Sequence, residues 1–177
     1  PAAMSGRIAV IEGWARNPDL VWVGTACGGV WKSVNAGLTW EAVFDDQPVA
    51  SIGALAIDPN NSDVVWVGTG EANPRNSVSV GEGVFKTLDG GRTWQRLGLE
   101  KTERISRIVL HPSDPQVAWV AAMGQAWGEN TERGVYKTED GGKTWKRVLF
   151  VDERTGAADL TIDPSNPNKL FAAMWDY

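Results

Sequence analysis

Short apolar runs, each closed by a turn, recur along the whole chain. In the second quarter of the sequence they predict four strands, at residues 52–57, 64–69, 84–87 and 93–99. The second of these runs is apolar at every other position and at most positions between, which is typical of a strand packed between two sheets. Asp58-Pro59 closes the first run as a turn, because proline fixes φ and the aspartate side chain bonds nearby backbone. The pattern predicts an all-β chain.

The same four-strand pattern repeats with a period of about fifty residues. Its marker is an eight-residue turn of the form Ser/Thr-x-Asp/Asn-x-Gly-x-Thr-Trp, here called the Asp-turn, which ends at Trp40, Trp94 and Trp145. Four antiparallel strands per unit, repeated in this way, predict β-propeller blades. The predicted units are blade 1 at 6–47, blade 2 at 48–104, blade 3 at 105–154 and the first half of blade 4 at 155–177. About three and a half blades do not close a ring of roughly four to eight, so we expect one continuous segment of a larger propeller.

Each Asp-turn joins the third and fourth strands of its blade and is expected to be structural. The carboxylate can accept hydrogen bonds from turn amides, glycine allows a positive φ, and the tryptophan ring can be buried between blades. The residues given this structural role are Asn35, Gly37, Trp40, Asp89, Gly91, Trp94, Asp140, Gly142 and Trp145.

The repeats differ most between their second and third strands, where blades 2 and 3 carry insertions of about ten and eight residues. Equivalent loops on adjacent blades should lie side by side on one face. Amides, carboxylates and an aromatic ring suit recognition of a sugar or a peptide. An alternative is that these groups only satisfy each other, for example through an Arg–Glu pair that locks the loops. The candidate binding residues are Glu71, Asn73, Arg75, Asn76, Trp127, Glu129, Asn130 and Arg133.

Composition removes several classes of function. The net charge is −5 and the basic residues form no stripe, which argues against a nucleic-acid partner. Cys27 is the only cysteine, so no intrachain disulfide can form, and we expect a buried structural thiol. His111 is the only histidine and stands where other units have the aspartate of an Asp-Pro turn, so a turn role is expected. We expect no metal site, no cofactor and no direct membrane span.

The Asp-turns resemble the Asp-box, also called the bacterial neuraminidase repeat or BNR repeat. Residues 6–177 resemble the sortilin-like, VPS10-like and xyloglucanase-like propellers of secreted bacterial proteins. The segment from Arg133 to Trp145 carries that similarity most clearly. The resemblance implies a secreted, periplasmic or cell-surface location, although no targeting signal is visible in the sequence. It also implies a catalytic aspartate at the end of a second strand in the xyloglucanases, and Ala26 occupies that position here.

Two functions follow from these observations. The first is a sortilin-like binding or scaffold module that holds a peptide, a glycan or a partner subunit, including the remainder of the propeller, and that has no catalytic residue of its own. The second is part of a secreted xyloglucanase-like or sialidase-like glycoside hydrolase, whose catalytic carboxylates would lie largely outside this chain, since hydrolysis needs two carboxylates flanking the bond.

Overall fold

The computed structural model describes residues 7–73 and 77–176, which are almost entirely β-strand and turn. The strands are β1 Ile8–Trp14, β2 Asn17–Thr25, β3 Val30–Ser33, β4 Glu41–Ala42, β5 Ile52–Asp58, β6 Asn61–Thr69, β7 Val84–Thr87, β8 Gln95–Arg96, β9 Ile105–Leu110, β10 Ala118–Ala122, β11 Gly134–Thr138, β12 Lys146–Leu149, β13 Thr155–Ile162 and β14 Leu170–Asp176. One 3-10 turn, Glu100–Thr102, precedes β9.

Within the described residues, the strands form three four-stranded sheets and one two-stranded sheet, each in sequence order: β1–β4, β5–β8, β9–β12 and β13–β14. All neighbours are antiparallel, as in propeller blades. The fourth strand of the second sheet, expected at 93–99, is limited to Gln95–Arg96. It is short because Thr93 is tied into the Asp-turn and because Gly98 and Leu99 both have positive φ.

The first strands β1, β5, β9 and β13 pack side by side and form the inner wall of the arc. Each of them contains a β-bulge at a corresponding position, which is always occupied by a small residue. At Gly53 a Cβ would collide with the carbonyl oxygens of Ile105 and Gly70. Close approach of neighbouring blades therefore requires small side chains here. The bulged residues are Ala9, Gly53, Ser106 and Ala158.

The core lies between the sheets rather than at the inner wall. Three apolar clusters fill the successive interfaces, and each contains the large aromatic residue of a second strand: Trp22, Trp66 and Trp119. All three side chains are buried. β6 is buried from residue 64 to residue 69, which confirms the prediction of a strand packed on both faces.

Trp94 of the second Asp-turn carries the contact between blades 1 and 2. Its ring meets Trp22 edge to face, with the centroids 6.4 Å apart and the planes at 86°. Its indole Nε1–H donates to the carbonyl oxygen of Val43 at 2.6 Å. Edge-to-face pairs of this kind add to the free energy gained from burial alone.

Trp145 repeats the arrangement between blades 2 and 3. Its ring lies 6.3 Å from that of Trp66 at an interplanar angle of 84°, and its Nε1–H donates to the carbonyl of Leu97 at 2.7 Å. Trp94 and Trp145 are thus half-buried and pack against the neighbouring blade. Trp40, on the first blade, is 41% exposed.

Candidate functional site

The Asp-turns are closed hydrogen-bond circuits. In the third turn, Asp140 Oδ1 accepts from the Thr138 hydroxyl at 2.8 Å and from the Thr144 amide at 2.9 Å, and Oδ2 accepts from the Thr144 hydroxyl at 2.6 Å. These bonds, with that from the Thr144 side chain the largest cause, lower the pKa of Asp140 to about 2. Corresponding bonds from Thr93 and Thr87 lower the pKa of Asp89. Both carboxylates are engaged in holding their own turns.

The first Asp-turn keeps this geometry although its aspartate position is occupied by Asn35, which has a side-chain amide. Asn35 Oδ1 accepts from the Thr39 amide at 2.9 Å and from the Ser33 hydroxyl at 3.0 Å. Its Nδ2 donates to the Thr39 hydroxyl at 2.8 Å, which reverses one bond of the aspartate turns. An amide therefore suffices for the fold of the turn, and the aspartates add negative charge.

Replacement of Asp140 by Asn should make the Tm depend less on pH in the acidic range. A carboxyl with a depressed folded pKa stabilises fully above its unfolded pKa of about 3.9, and that stability is lost as the pH falls through about 2. We expect Asp140→Asn to have a lower Tm than the parent at pH 7 and a matching Tm near pH 2, measured by circular dichroism. The reverse change, Asn35→Asp, should make the Tm fall more steeply as the pH is lowered. An equal Tm difference at every pH would contradict this assignment.

The two inserted loops leave the same end of their blades, and the start of each is tied to the residue that precedes an inner-wall strand. The β6–β7 loop begins with Gly70, whose amide donates to the carbonyl of Ser51 at 2.8 Å. The β10–β11 loop begins with Met123, whose amide donates to the carbonyl of Arg104 at 2.9 Å. Each loop is thus tied to the start of its own blade. The described part of the first loop comprises residues 70–73 and 77–83, so Arg75 and Asn76 lie outside the described residues.

Arg133 is fully buried and organises the β10–β11 loop. Its Nε donates to the carbonyl of Glu153 at 2.8 Å, and Nη2 donates to the carbonyls of Gln125 at 2.9 Å and Gly128 at 3.1 Å. Nη1 donates to the carbonyl of Met123. One guanidinium therefore holds both ends of the loop, and its side chain does not face solvent.

Glu71 is also turned inward. Its side chain is buried and forms an ion pair with Arg7 from the start of the first blade. Asn130 is half-buried: its amide donates to the carbonyl of Glu153 at 2.8 Å, and its Oδ1 accepts from the Glu132 amide at 2.7 Å. The polar side chains of these residues therefore have partners within the protein: backbone groups for Asn130 and Arg133, and Arg7 for Glu71.

Trp127 points outward and is 69% exposed. It forms a shelf with Glu129 and Arg154 beside a depression of about 420 Å³. Gln125 holds the backbone at this point, because its side-chain amide donates to the Trp127 carbonyl at 2.7 Å. Arg154 lies 3.5 Å from Asp176. The shelf thus presents an aromatic face bordered by the carboxylate of Glu129 and the guanidinium of Arg154.

A second depression, of about 240 Å³, lies at the inner wall. It is floored by the four bulged residues and bordered by loop and strand residues that include Asn73, Met123 and Trp175. Ser106 donates its hydroxyl to the carbonyl of Ala157 at 2.7 Å, which closes the gap between blades 3 and 4. The floor is thus built from small side chains and backbone.

Charged residues line the wall beside this depression. Arg107 lies 3.7 Å from Asp159 on the next blade. Burial raises the pKa of Glu12 on the first blade, and the nearby positive charge of Arg107 partly offsets the increase. One arginine is therefore placed between carboxylates from blades 1 and 4.

Ala26, directly after β2, is the position at which the resemblance to xyloglucanases implies an aspartate. Ala26 is buried there, and its amide donates to the carbonyl of Arg7 at 2.8 Å. Cys27 follows and is exposed, so the expectation of a buried thiol was wrong. Thr25 explains the difference. Its amide donates to the carbonyl of Gly29 at 3.0 Å, and its hydroxyl accepts from the amide of Gly28 at 2.7 Å. These bonds leave residue 27 at the tip of a tight turn.

His111 caps a turn. Its Nδ1 accepts from the amides of Ser113 at 3.3 Å and Asp114 at 3.0 Å, and its ring stacks on Trp119. Within residues 7–73 and 77–176, no three His, Cys, Asp or Glu side chains converge in a way that could hold a metal ion. In the same ranges, no helix has the length and apolar character required to cross a membrane.

The predicted site residues do not lie together: some line one of two separate depressions and others are buried in the interior. Asn73 lies at the inner wall, Trp127 and Glu129 lie on the shelf, and Glu71 and Arg133 are internal. Sequence reasoning missed the residues that complete the inner depression. Comparison of the repeats could have found four of them, because the column of bulged positions contains only Gly, Ala and Ser. Trp175 at the inner depression and Arg154 at the shelf lie in strand and turn positions without such a signal.

The fold and the two depressions define this chain as a segment of a β-propeller with hairpin-bearing blades. The family described as "Sortilin, neurotensin receptor 3" (Sortilin-Vps10) matches residues 28–173, and the chain belongs to it. The sequence is 31% identical over 173 residues to the xyloglucanase Xgh74A of Acetivibrio thermocellus, covering 88% of this chain and 19% of that protein. It is 26% identical over 144 residues to a xyloglucanase of a Paenibacillus species, covering 73% and 13%.

Solved structures support the same fold. An ancestral GH74 enzyme superposes with a TM-score of 0.73 at 20% identity, covering 96% of this chain and 22% of that chain. The GH74 enzyme of Niastella koreensis gives 0.71 at 23% identity, covering 92% and 24%. YCF48 bound to D1 peptide gives 0.60 at 15% identity, covering 91% and 46%. The chain spans between 13% and 24% of the length of the curated relatives it matches.

Proposed function

We propose that this propeller segment is a binding or scaffold module whose ligand-facing surface is the shelf at Trp127. The observation that carries the proposal is an exposed aromatic ring on a loop whose backbone is fixed by a fully buried arginine. Because the backbone that carries the ring is already held in place, less conformational entropy is lost when a ligand packs on it than on a mobile loop. Fixed aromatic residues with neighbouring polar groups are common in recognition sites.

The ligand classes that suit the shelf are glycans and peptides. A sugar ring can stack on the indole while Glu129 and Arg154 bond its hydroxyl groups, and a peptide can use the same groups for its backbone and charged side chains. Related propellers include xyloglucanases and a peptide-bound protein.

We also assign the Asp-turns to the Asp-box or BNR repeat. We propose that the protein lies outside the cytoplasm: secreted, periplasmic or on the cell surface.

Titration of the 15N-labelled chain followed by NMR tests the proposal. The probes are xyloglucan oligosaccharides in one arm and a mixture of short random peptides in the other. We expect the indole signal of Trp127, identified by Trp127→Phe, to shift with one of the two. Trp127→Ala should weaken that binding at least about tenfold, because loss of one stacked aromatic contact costs roughly 1.4 kcal/mol or more.

The matched control is Trp40→Ala, which removes another exposed tryptophan from the first Asp-turn. It should leave the affinity unchanged. Binding that is insensitive to Trp127→Ala, or the absence of binding by both probes, would contradict the proposed surface.

A second candidate function is a contribution to glycoside hydrolysis. The observation in its favour is Glu12, a wall carboxyl whose pKa is raised by burial and which shares Arg107 with Asp159. A carboxyl with a raised pKa suits a general acid. Hydrolysis of β-glucan or xyloglucan oligosaccharides that disappears with Glu12→Gln but persists with Trp127→Ala would favour this function over binding alone.

A further inference from the structure

A third depression, of about 620 Å³, lies between blades 1 and 2, where the second Asp-turn packs on β4 and the residues after it. We call it the interblade groove. Its volume falls within the roughly 300–1,000 Å³ of ligand pockets. Ala42, Val43 and Trp94 give it an apolar wall. The Asp-turns join third strands to fourth and the inserted loops join second strands to third, so the groove lies at the opposite end of the blades from the Trp127 shelf.

Four exposed carboxylates line the groove and have no partner in the protein. Within residues 7–73 and 77–176, none of them forms an ion pair or accepts a hydrogen bond. An exposed acid elsewhere in these ranges, Glu82, is paired with Arg96. The groove therefore presents negative charge that its own surroundings do not neutralise. The four residues are Glu41, Asp45, Asp46 and Asp63.

The two basic side chains of the groove are bound to main-chain carbonyls instead. Lys32 Nζ donates to the carbonyl of Gly90 at 2.9 Å and lies 5.1 Å from the centre of the Trp22 ring. Arg92 Nε donates to the carbonyl of Asp89 at 3.1 Å. The carboxylate of Asp89 is held within its own turn. Both cations thus support the Asp-turn, and the free carboxylates remain available to a ligand.

The equivalent surface between blades 2 and 3 has a different charge. Two of the residues concerned, Asp63 and Gln116, occupy equivalent positions, because the carbonyl of each accepts an amide of the next Asp-turn at 2.9 Å. At three equivalent positions, that surface has two carboxylates fewer and one arginine more. The same packing of blades forms there, so the acidic side chains are not needed to hold blades together. The pairs, groove residue first, are Glu41 and Gln95, Ala42 and Arg96, and Asp63 and Gln116.

The strand beside the groove can also bond a main chain. β4 is the outer strand of a complete blade and, in the described structure, pairs only with β3, so its other edge is free. Both of its residues, Glu41 and Ala42, line the groove. A free edge offers backbone donors and acceptors to an extended peptide. This feature favours a peptide over a small organic cation, which has no main chain to pair.

We propose that the interblade groove binds a lysine- or arginine-rich segment of a partner protein. The basic groups would pair with the four free carboxylates, and charge complementarity of this kind also speeds association. The aliphatic stems of lysine or arginine would lie on Val43 and on the half-buried ring of Trp94, since long basic side chains cover apolar surface while their charged ends stay in water.

Isothermal titration calorimetry of the 177-residue chain with acetylated, amidated hexalysine tests the proposal. We expect one saturable site at low ionic strength, with an affinity that falls as salt is added, because exposed charges are screened. Hexaglutamate should not bind. Binding of hexalysine that does not saturate would overturn the proposal. Spermine that binds as tightly as the peptide would overturn the assignment of a peptide occupant.

Exchange of the groove residues for those of the next interface locates the site. The variant Glu41→Gln, Ala42→Arg, Asp63→Gln should weaken hexalysine binding at least about tenfold. A second variant, Asp45→Asn with Asp46→Asn, leaves β4 and the Asp-turn unchanged and should weaken binding at least about threefold. Circular dichroism verifies that both variants fold.

The matched control neutralises three exposed carboxylates outside the groove, in the variant Asp19→Asn, Glu139→Gln, Glu153→Gln. It changes the net charge by the same amount as the groove exchange, and we expect less than about a twofold loss of affinity. Trp127→Ala should have no effect, because the shelf is a separate surface. The proposal is overturned if the control weakens binding as much as the groove exchange, since net charge alone would then attract the peptide.

Discussion

Trp145→Ala should lower the free energy of unfolding by about 3 kcal/mol, whereas Trp40→Ala should lower it by less than about 1 kcal/mol. The two tryptophans end equivalent Asp-turns. Trp145 packs on Trp66 and donates to Leu97, so its loss opens a cavity and leaves a carbonyl without its partner. Trp40 is 41% exposed and leaves no comparable cavity.

Urea unfolding followed by far-ultraviolet circular dichroism provides the measurement. The comparison depends on the shift in midpoint at a constant slope, because a changed slope indicates loss of cooperativity between blades. Equal losses in the two variants would show that the tryptophan stabilises its own turn. That outcome would remove the inter-blade contact as the main source of stabilisation.

The sequence predicted the blade interior well because repetition supplied independent examples of each strand. β6 and β7 match the expected positions closely, and the Asp-turn circuit around Asp140 forms as its residue types require. The fourth strand of blade 2 was predicted too long. Its apolar residue Leu97 belongs to the inter-blade core, while Gly98 turns the backbone away from the sheet.

The loops were less predictable because their polar side chains have several possible partners. Glu71, Trp127 and Arg133 are all loop residues with groups suited to binding, yet only Trp127 faces solvent. Backbone carbonyls from four separate residues converge on Arg133, and no pattern in the sequence indicates that convergence. Cys27 has an apolar residue before it, but the turn that follows Thr25 decides its exposure.

A similar distinction separates fold from function in this chain. Residues that recur, such as Trp66 and Trp145, hold neighbouring blades together. Trp127 and Glu12, by contrast, each occur in one blade only, and they lie on an open surface and on the inner wall. Fold does not determine function, so the ligand depends on the second group. Changes there should alter binding with little effect on unfolding.

Arg133→Met should lower the free energy of unfolding by about 3 kcal/mol and should also disorder the Trp127 shelf. The guanidinium is fully buried and donates to four backbone carbonyls, which methionine cannot satisfy. Each buried carbonyl left without a donor costs about 1 kcal/mol or more, and water entering the loop recovers part of that loss. Methionine retains much of the apolar volume, so the effect measures the polar contacts rather than a cavity.

The matched control is Arg147→Met, because Arg147 also donates to a carbonyl of this loop, that of Thr131, but from an exposed position over Phe150. Its loss should cost less than about 1 kcal/mol. Hydrogen exchange separates local from global effects: amides of residues 124–132 should exchange faster in Arg133→Met, while those of β6 should change only as the overall stability does. If the loop amides remain protected and the unfolding midpoint is unchanged, Arg133 does not hold the loop. Trp127 would then lack the fixed support on which its proposed role as a binding platform depends.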